Sequence, residues 1–270
     1  MSMPTKPKLG QNFLHDVQAI QRIAAAIGDC TDATVIEIGP GRGAVTQALI
    51  SRAHHVIAVE LDAELADGLR KEFPPDKVTV VEQDVLQFDF AAAAAQSGGR
   101  PAVVGNLPYY ITSPILHRLG ENHAVLGRAV LMMQREVADR VCAAPGSRDY
   151  GLLSVTVQMY GEAEKLFTLP PGAFSPPPKV HSSVIRWRFA PRFQTLGVDE
   201  TRFPEFVRTA FAQKRKTLGN NLRAAGIAPE TIAHALTAAG IDLQARAEAL
   251  SIETLAALWK SLDQTAGPKP

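Results

Sequence analysis

Short runs of apolar residues alternate with longer amphipathic segments along the first half of the chain. The runs are rich in Val and Ile and end at a glycine or a polar residue, which is typical of buried strands. The intervening segments repeat apolar residues at helical spacing. The predicted strands cover residues 34–38, 55–59, 78–81, 102–104 and 129–133, and the predicted helices cover residues 17–27, 44–53 and 63–73. This alternation predicts right-handed βαβ units and a mainly parallel, doubly wound α/β sheet.

The pattern changes after residue 150. Residues 152–159 and 182–189 each predict a strand, and no helical pattern lies between them. The connection contains five prolines, which limit its freedom: Pro170, Pro171, Pro176, Pro177 and Pro178. Two consecutive strands joined by a stiff loop predict an antiparallel pair at one edge of a seven-stranded sheet.

Beyond residue 190 only helical patterns occur. They cover residues 203–212, 217–224, 229–239 and 252–262. Pro229 suits a first helical turn, and Gly226 and Gly240 suit helix ends. We therefore expect one domain over residues 1–190 and a small all-helical domain over residues 191–270.

Composition limits the possible functions. The 270 residues carry a formal net charge of +1, so a nucleic-acid surface would need a local cluster of basic residues. The two cysteines lie far apart and predict neither a disulfide framework nor a metal site. No signal peptide and no apolar stretch of about 20 residues is evident, so we expect a cytoplasmic protein without a membrane segment.

Acidic residues lie at the ends of the first three predicted strands. Glu37 precedes a loop containing Gly39 and Gly41, and Glu60 and Asp84 follow the next two strands. Ligands of open α/β sheets bind at this edge, and a dinucleotide site would share the loop and Glu60. Glu37, however, would repel a pyrophosphate. It suits a ligand with a cationic amino-acid end, a ribose and an adenine, which describes S-adenosylmethionine.

The fourth predicted strand runs into the tetrapeptide Asn106-Leu107-Pro108-Tyr109. An amide oxygen and a backbone carbonyl can accept both hydrogens of an exocyclic amine, and an aromatic ring can stack on the base that carries it. Taken alone, the tetrapeptide more often describes a strand that enters a proline-closed turn. Its predicted position beside the glycine loop favours a binding site for such an amine.

Further motifs occur in a fixed order along nearly the whole chain. They are Lys8-Leu9-Gly10-Gln11-Asn12-Phe13-Leu14, the loop from Glu37 to Gly43, Val59-Glu60-Leu61-Asp62, Gln83-Asp84, the segment from Asn106 to Pro114, Gln134-Arg135-Glu136-Val137-Ala138, the segment from Phe174 to Ser182, and the segment from Phe211 to Asn221. With these motifs the chain resembles the rRNA adenine-N6,N6-dimethyltransferases. It is most similar to the bacterial small-subunit branch, which modifies two adjacent adenines of 16S rRNA.

The resemblance implies a Rossmann-like class I methyltransferase fold with a helical C-terminal domain. It implies S-adenosylmethionine as methyl donor, S-adenosylhomocysteine as product, and no metal. It also implies a set of residues that contact the methyl donor: Asn12, Leu14, Gly39, Glu60, Asp84 and Asn106. The expected partner is the rRNA of the immature 30S particle, and the expected state is a monomer.

The residues suggest how such an enzyme would act. Asn106 and the Leu107 carbonyl would accept the two N6 hydrogens of an adenine. Tyr109 would stack on one face of the base and Phe174, in a proline-rich loop, on the other. No general base is needed, because an N-methylated, ring-conjugated ammonium loses its proton readily to water.

Basic residues cluster in the predicted helical domain. The predicted RNA contacts are Lys214, Arg215, Lys216, Arg208 and Arg223, with Lys179 outside that domain. We expect these residues to line one helical face, with Asn220 and Asn221 as neutral donors. A solvated helix face is the alternative, since three consecutive charges usually have that role.

The sequence is also compatible with three other functions. They are a large-subunit rRNA adenine methylase of the antibiotic-resistance type, a small-molecule N-methyltransferase, and a ribosome-assembly factor without catalysis. The intact tetrapeptide and glycine loop favour an enzyme.

Overall fold

A computed structural model gives the fold of residues 11–265. Residues 8–10 of the N-terminal motif lie outside this described part. The chain divides into two compact units, of which the first comprises residues 11–138 and 164–189 and the second residues 139–163 and 190–265 within the described range. The division after Phe189 is one residue from the predicted domain boundary. Residues 139–163, by contrast, group with the second unit.

A seven-stranded sheet forms the centre of the first unit. Its strands are β2 (Cys30–Ile38), β3 (Ala53–Glu60), β4 (Val78–Glu82), β5 (Ala102–Asn106), β6 (Arg128–Gln134), β7 (Gly161–Leu169) and β9 (Ser182–Phe189). Their order is β4-β3-β2-β5-β6-β9-β7. The strands from β4 to β6 are parallel, and β9 is antiparallel to β6. The predicted seven-stranded, mostly parallel sheet is confirmed.

The strand order reverses between β2 and β5. The chain runs outward from β2 to β3 and β4 and then returns to β5 on the other side of β2. Helices leaving β2 and β5 therefore diverge, and a crevice opens at the carboxyl ends of the two strands. Any site built there receives residues from the loop after β2 and from the end of β5.

Amphipathic helices connect the strands of the first unit. They are α1 (Val17–Ala26), α2 (Ala44–Leu49), α3 (Ala63–Glu72), α4 (Phe90–Gln96) and α5 (Thr112–Glu121), and a further helix, α6 (Arg135–Val141), follows β6. Asp16 caps α1 by accepting the Ala19 amide at 3.0 Å. Buried side chains of α1 and α2 join those of β2 and β3 in one hydrophobic core.

A second, two-stranded sheet was not predicted. Strand β1 (Phe13–Leu14) pairs antiparallel with β8 (Phe174–Ser175). The partners are about 160 residues apart in sequence and only two residues long, so local pattern carries little information about them. The pair joins the segment before α1 to the proline-rich segment before β9.

The predicted strand over residues 152–159 is wrong. These residues form α7 (Leu152–Tyr160), and the edge strand of the sheet is β7, which follows directly. Ser154 accepts the Gly151 amide at 3.0 Å, and Gln158 donates to the Val141 carbonyl at 3.1 Å. These hydrogen bonds and the burial of Val155 outweigh an alternation of apolar and polar residues that is typical of a strand.

Helices predominate in the second unit, and aromatic contacts join α7 and the segment before it to later parts of this unit. The Tyr150 ring lies 6.4 Å from that of Phe211, and the Tyr160 ring 5.2 Å from that of Phe193. The later helices are α8 (Phe193–Leu196), α9 (Arg202–Ala210), α10 (Leu218–Ala224), α11 (Pro229–Ala238) and α12 (Ile252–Thr265), which confirms the four helices predicted there. None of the helices described is long and apolar enough to cross a membrane.

Candidate active site

A cavity of about 260 Å³ lies in the crevice between β2 and β5. Eight residues predicted to bind the methyl donor line it: Asn12, Leu14, Glu37, Gly39, Gly41, Glu60, Asp84 and Asn106. Leu107, Pro108 and Tyr109 line the same cavity. The fold thus brings residues from five separate segments to one place.

The glycine loop after β2 brings backbone to the cavity wall. Gly39 has φ +64° and Gly41 has φ +58°, a left-handed conformation that disfavours other residues. A Cβ on Gly41 would lie 3.1 Å from the Phe13 ring, and one on Gly39 3.6 Å from the Asn106 carbonyl oxygen. The loop therefore packs closely against both β1 and the end of β5.

Glu60 fixes the loop to the end of β3. Its Oε2 accepts the Gly41 amide at 3.0 Å, and its Oε1 accepts the amides of Leu61 and Asp62 at 2.9 and 3.0 Å. The residue is only 4% exposed. Three backbone donors hold the carboxylate in one orientation, with its remaining lone pairs available to ligand hydroxyl groups.

Glu37 is a buried carboxyl group at the floor of the cavity. Burial raises its pKa to about 7, and the neighbouring Glu60 carboxylate adds to the effect. The hydroxyl of the fully buried Thr46 donates to Glu37 at 2.6 Å and opposes the rise. The sequence did not identify Thr46, because a threonine in the first turn of a helix is an ordinary residue there.

Asp84 lies half-buried at the end of β4 with apolar neighbours. Its Oδ1 accepts the Leu86 amide at 2.9 Å, which orients the carboxylate. Leu61, which is 51% exposed, and the buried Val85 line the same cavity. Apolar side chains and a carboxylate in one cavity suit a flat heteroaromatic ring with an amine at its edge.

Asn106 is oriented by the segment that precedes α1. Its Nδ2 donates to the Asn12 carbonyl at 3.2 Å, so its Oδ1 is the group presented to other donors. The next backbone amide, that of Leu107, donates to the Met132 carbonyl of β6 at 2.9 Å. The side chain of Asn106 is therefore anchored to the segment before α1, and the following peptide is anchored to the sheet.

Two tyrosines follow the strand end. Tyr109 lines the cavity, and its hydroxyl lies 3.1 Å from that of Ser182 at the start of β9. Tyr110 lines the cavity while remaining 64% exposed, which places it at the mouth. Tyr109 was predicted as a site residue from the sequence, and Tyr110 was not.

Phe174 occupies a different environment from the one predicted. It is 2% exposed, belongs to the hydrophobic core of the first unit, and is not among the residues that line the cavity. Pairing of β8 with β1 places it opposite Leu14. In this conformation the ring cannot cover a base, and a stacking role would require it to leave the core.

Phe13 and Arg42 close one side of the cavity. The Arg42 guanidinium lies 4.5 Å from the centre of the Phe13 ring, within the range of a cation–π contact. Both residues line the cavity, and neither was predicted. The contact fastens β1 to the glycine loop.

The predicted RNA contacts all lie on the surface of their units. Lys179 is exposed in the first unit, and Arg208 on α9 and Arg223 on α10 are exposed in the second. Lys214, Arg215 and Lys216 are exposed in the turn between α9 and α10, which we call the basic turn. The prediction that the basic residues line one helical face is wrong for the basic turn, because α9 ends at Ala210.

Asn221 was expected to offer a donor to RNA but points inward. It is 3% exposed, and its Nδ2 donates to the carbonyls of Ala210 and Gln213 at 2.7 and 3.4 Å. The residue therefore fixes the start of the basic turn. Among the described residues no group of three or more His, Cys, Asp or Glu side chains could hold a metal ion.

The sheet order and the cavity at its reversal point define a Rossmann-like methyltransferase fold. The crystal structure of the 23S rRNA methyltransferase ErmE is similar to this chain, with a TM-score of 0.70 and 28% identity over 94% of this chain and 100% of that one. A dimethyladenosine transferase from Plasmodium falciparum shares the fold, with a TM-score of 0.77 at 21% identity over 94% and 98% of the two chains.

The chain belongs to the ribosomal RNA adenine dimethylase family, whose model matches residues 3–264. It is 58% identical to the ribosomal RNA small subunit methyltransferase A of Acidobacterium capsulatum, over 96% of this chain and 91% of that protein. It is 49% identical to the protein of the same name from Koribacter versatilis, over 95% and 94% of the two chains. The family and the fold inferred from the motifs are confirmed.

Proposed function

We propose that this protein transfers methyl groups from S-adenosylmethionine to N6 of two adjacent adenines near the 3′ end of 16S rRNA. The product is N6,N6-dimethyladenosine, formed during assembly of the small ribosomal subunit. Membership of the adenine dimethylase family supports the reaction, and the relatives named for the small subunit support the substrate. The observation that carries the proposal is Asn106, whose oriented amide oxygen borders the same cavity as three carboxyl groups.

The cavity residues fit S-adenosylmethionine. The Glu37 carboxyl group suits the ammonium of its amino-acid end, the Glu60 carboxylate suits the ribose hydroxyls, and Asp84 suits the adenine amine. Carboxyl groups at three points match the donors of this cofactor, and a pyrophosphate would be repelled by them. When bound, the cofactor supplies an electrophilic methyl group on a sulfonium.

Asn106 activates the amine by positioning and by electrostatics. Its Oδ1 and the Leu107 carbonyl accept the two N6 hydrogens, which allows the nitrogen to become pyramidal and directs its lone pair into the cavity. The same oxygens stabilise the positive charge that develops on N6. The Nδ2 bond to Asn12 keeps the acceptor oriented without reorganisation.

An adenine within rRNA must be extruded from its stack to enter the cavity. Tyr109 offers a ring to one face of the base, and the hydroxyl contact with Ser182 limits the movement of that ring. Base–aromatic stacking contributes about 1–3 kcal/mol. Tyr110 at the cavity mouth offers a second ring along the path of entry.

The two parts of the chain have separate tasks. We assign cofactor binding and transfer to residues 1–190 and the main rRNA contacts to residues 191–270, where the basic turn and the exposed Arg208 and Arg223 supply phosphate contacts; Lys179 adds a contact from the first part. The protein acts as a cytoplasmic monomer and needs no metal.

A methylation assay with tritiated S-adenosylmethionine tests this function. The substrates offered are small subunits whose rRNA lacks the modification, large-subunit rRNA, and free adenosine. Label is expected in 16S rRNA as N6,N6-dimethyladenosine, identified by nucleoside mass spectrometry. Label in large-subunit rRNA or adenosine would identify another methyltransferase, and cofactor binding without transfer to any substrate would identify an assembly factor.

A further inference from the structure

A second cavity in the first unit has no role in the cofactor site. Its volume is about 310 Å³, and it is lined by Gln134, Arg135, Glu136, Lys179, Val180 and His181. It lies where β6 ends and where the proline-rich segment enters β9. The Arg135 amide donates to the His181 carbonyl at 2.9 Å, so the two sides of the cavity are tied together by backbone.

This cavity adjoins the part of the active site that would receive the base. Gln134 pairs with Ser182 in the sheet, and the Ser182 hydroxyl contacts that of Tyr109 at 3.1 Å. Asn106 pairs with Met132 on β6, two residues before Gln134. At a strand rise of about 3.3 Å per residue, the second cavity begins roughly 7 Å further along the sheet.

The charges of the cavity favour an anion. Arg135 and Lys179 are cationic, and Gln134 adds an amide donor. Glu136 is the one carboxylate in the lining, so the basic groups outnumber it. Arg135, Lys179 and His181 are exposed, and a ligand can reach them from solvent.

We propose that this cavity binds a backbone phosphate of the nucleotide adjoining the extruded adenine. The inference rests on the proposed function, since the ligand is part of the RNA whose base enters the first cavity. Phosphate contacts fix the register of a strand without reading its sequence. A phosphate held by Arg135 and Lys179 would position the neighbouring base against Tyr109 and Asn106, and so would set which adenine is presented.

Three variants test the proposal: Arg135→Gln, Lys179→Gln and Lys179→Arg, which keeps the charge. Binding to small subunits lacking the modification is measured over a range of salt concentrations, with KM and kcat for methylation. Each glutamine variant should reduce the slope of log affinity against log salt by roughly 1 and raise KM for the subunit. The affinity for S-adenosylmethionine should not change, and Lys179→Arg should restore the slope.

Lys71→Gln is the matched control. Lys71 is exposed on α3, which packs against β4 at the edge of the sheet away from β6. Wild-type slope and KM in both glutamine variants, or an equal loss in Lys71→Gln, would overturn the phosphate site while leaving the proposed function intact. Failure of the wild-type protein to methylate small subunits would overturn both.

Discussion

At the scale of single residues, Glu37 combines burial with a position where a cofactor's ammonium would bind. The carboxyl group is 3% exposed, and its pKa is raised to about 7 mainly because burial disfavours the charged form. A cationic ligand placed beside it would favour ionisation. Binding of the methyl donor should therefore release a proton from Glu37 near neutral pH.

The same pKa makes stability depend on pH. The folded protein holds the Glu37 proton more tightly than the unfolded chain, whose carboxyl pKa is near 4.5. The resulting stabilisation is fully present below pH 4.5 and is lost as the pH rises through about 7. Relative to Glu37→Gln, the unfolding free energy of the wild type should fall by about 3 kcal/mol over that interval. Urea unfolding of both proteins at several pH values measures this fall in unfolding free energy.

Glu64→Gln provides the control, because Glu64 is exposed on α3. Its unfolding free energy should follow the wild type at every pH. A constant difference between wild type and Glu37→Gln from pH 4.5 to 8 would show that the Glu37 pKa is not raised in the folded protein.

Individual site residues differ in how well sequence can predict them. Glu37, Glu60 and Asp84 could be predicted because each lies within two residues of a strand end, and parallel strands bring their carboxyl ends together. The burial of Phe174 could not, because it depends on the long-range pairing of β8 with β1. Asn221 was misjudged for a similar reason: its carbonyl partners are fixed only by the packing of α9 and α10.

At the scale of elements, the turn from β2 into α2 depends on Gly43. The residue has φ +78°, and a Cβ would lie 2.6 Å from the ring of the buried Phe73. Gly43→Ala should destabilise the protein by about 1–3 kcal/mol, because left-handed backbone strain adds to the collision. The shift in the urea unfolding midpoint measures the loss.

Gly68→Ala is the matched change within α3. No atom lies within 4 Å of a Cβ placed there, and the residue is helical and exposed. Alanine should stabilise this helix by about 0.5–1 kcal/mol. Equal changes in unfolding free energy for Gly43→Ala and Gly68→Ala would show that the turn at Gly43 is not strained.

The central strands were predictable and the later elements less so. Five strands and the helices between them follow from buried apolar runs and helical periodicity, and all five are present. Residues 152–159 alternate like a strand but form α7, because tertiary hydrogen bonds and aromatic packing outweigh a short periodic pattern. Residues 139–163 consequently join the second unit, which no local composition change reveals.

At the scale of the whole molecule, a net charge of +1 requires concentrated basic groups for binding RNA. Replacing Lys214, Arg215 and Lys216 by glutamine should reduce the salt slope of small-subunit binding by roughly 2–3. Cofactor affinity should remain unchanged. The double variant Lys71→Gln, Lys77→Gln, in exposed positions of the first unit, controls for a general loss of charge. A wild-type slope in the triple variant would place the main rRNA contacts elsewhere.

In the proposed reaction, Asn106 activates an adenine amine of 16S rRNA. Single-turnover transfer from S-adenosylmethionine to small subunits lacking the modification, measured for wild type and Asn106→Ala, tests it most directly. Calorimetric titration of the cofactor against both proteins confirms that the variant still binds it. Transfer should fall by about 10²–10³-fold while cofactor affinity stays within about tenfold of wild type. Transfer at the wild-type rate by the cofactor-bound variant would show that Asn106 does not activate the amine.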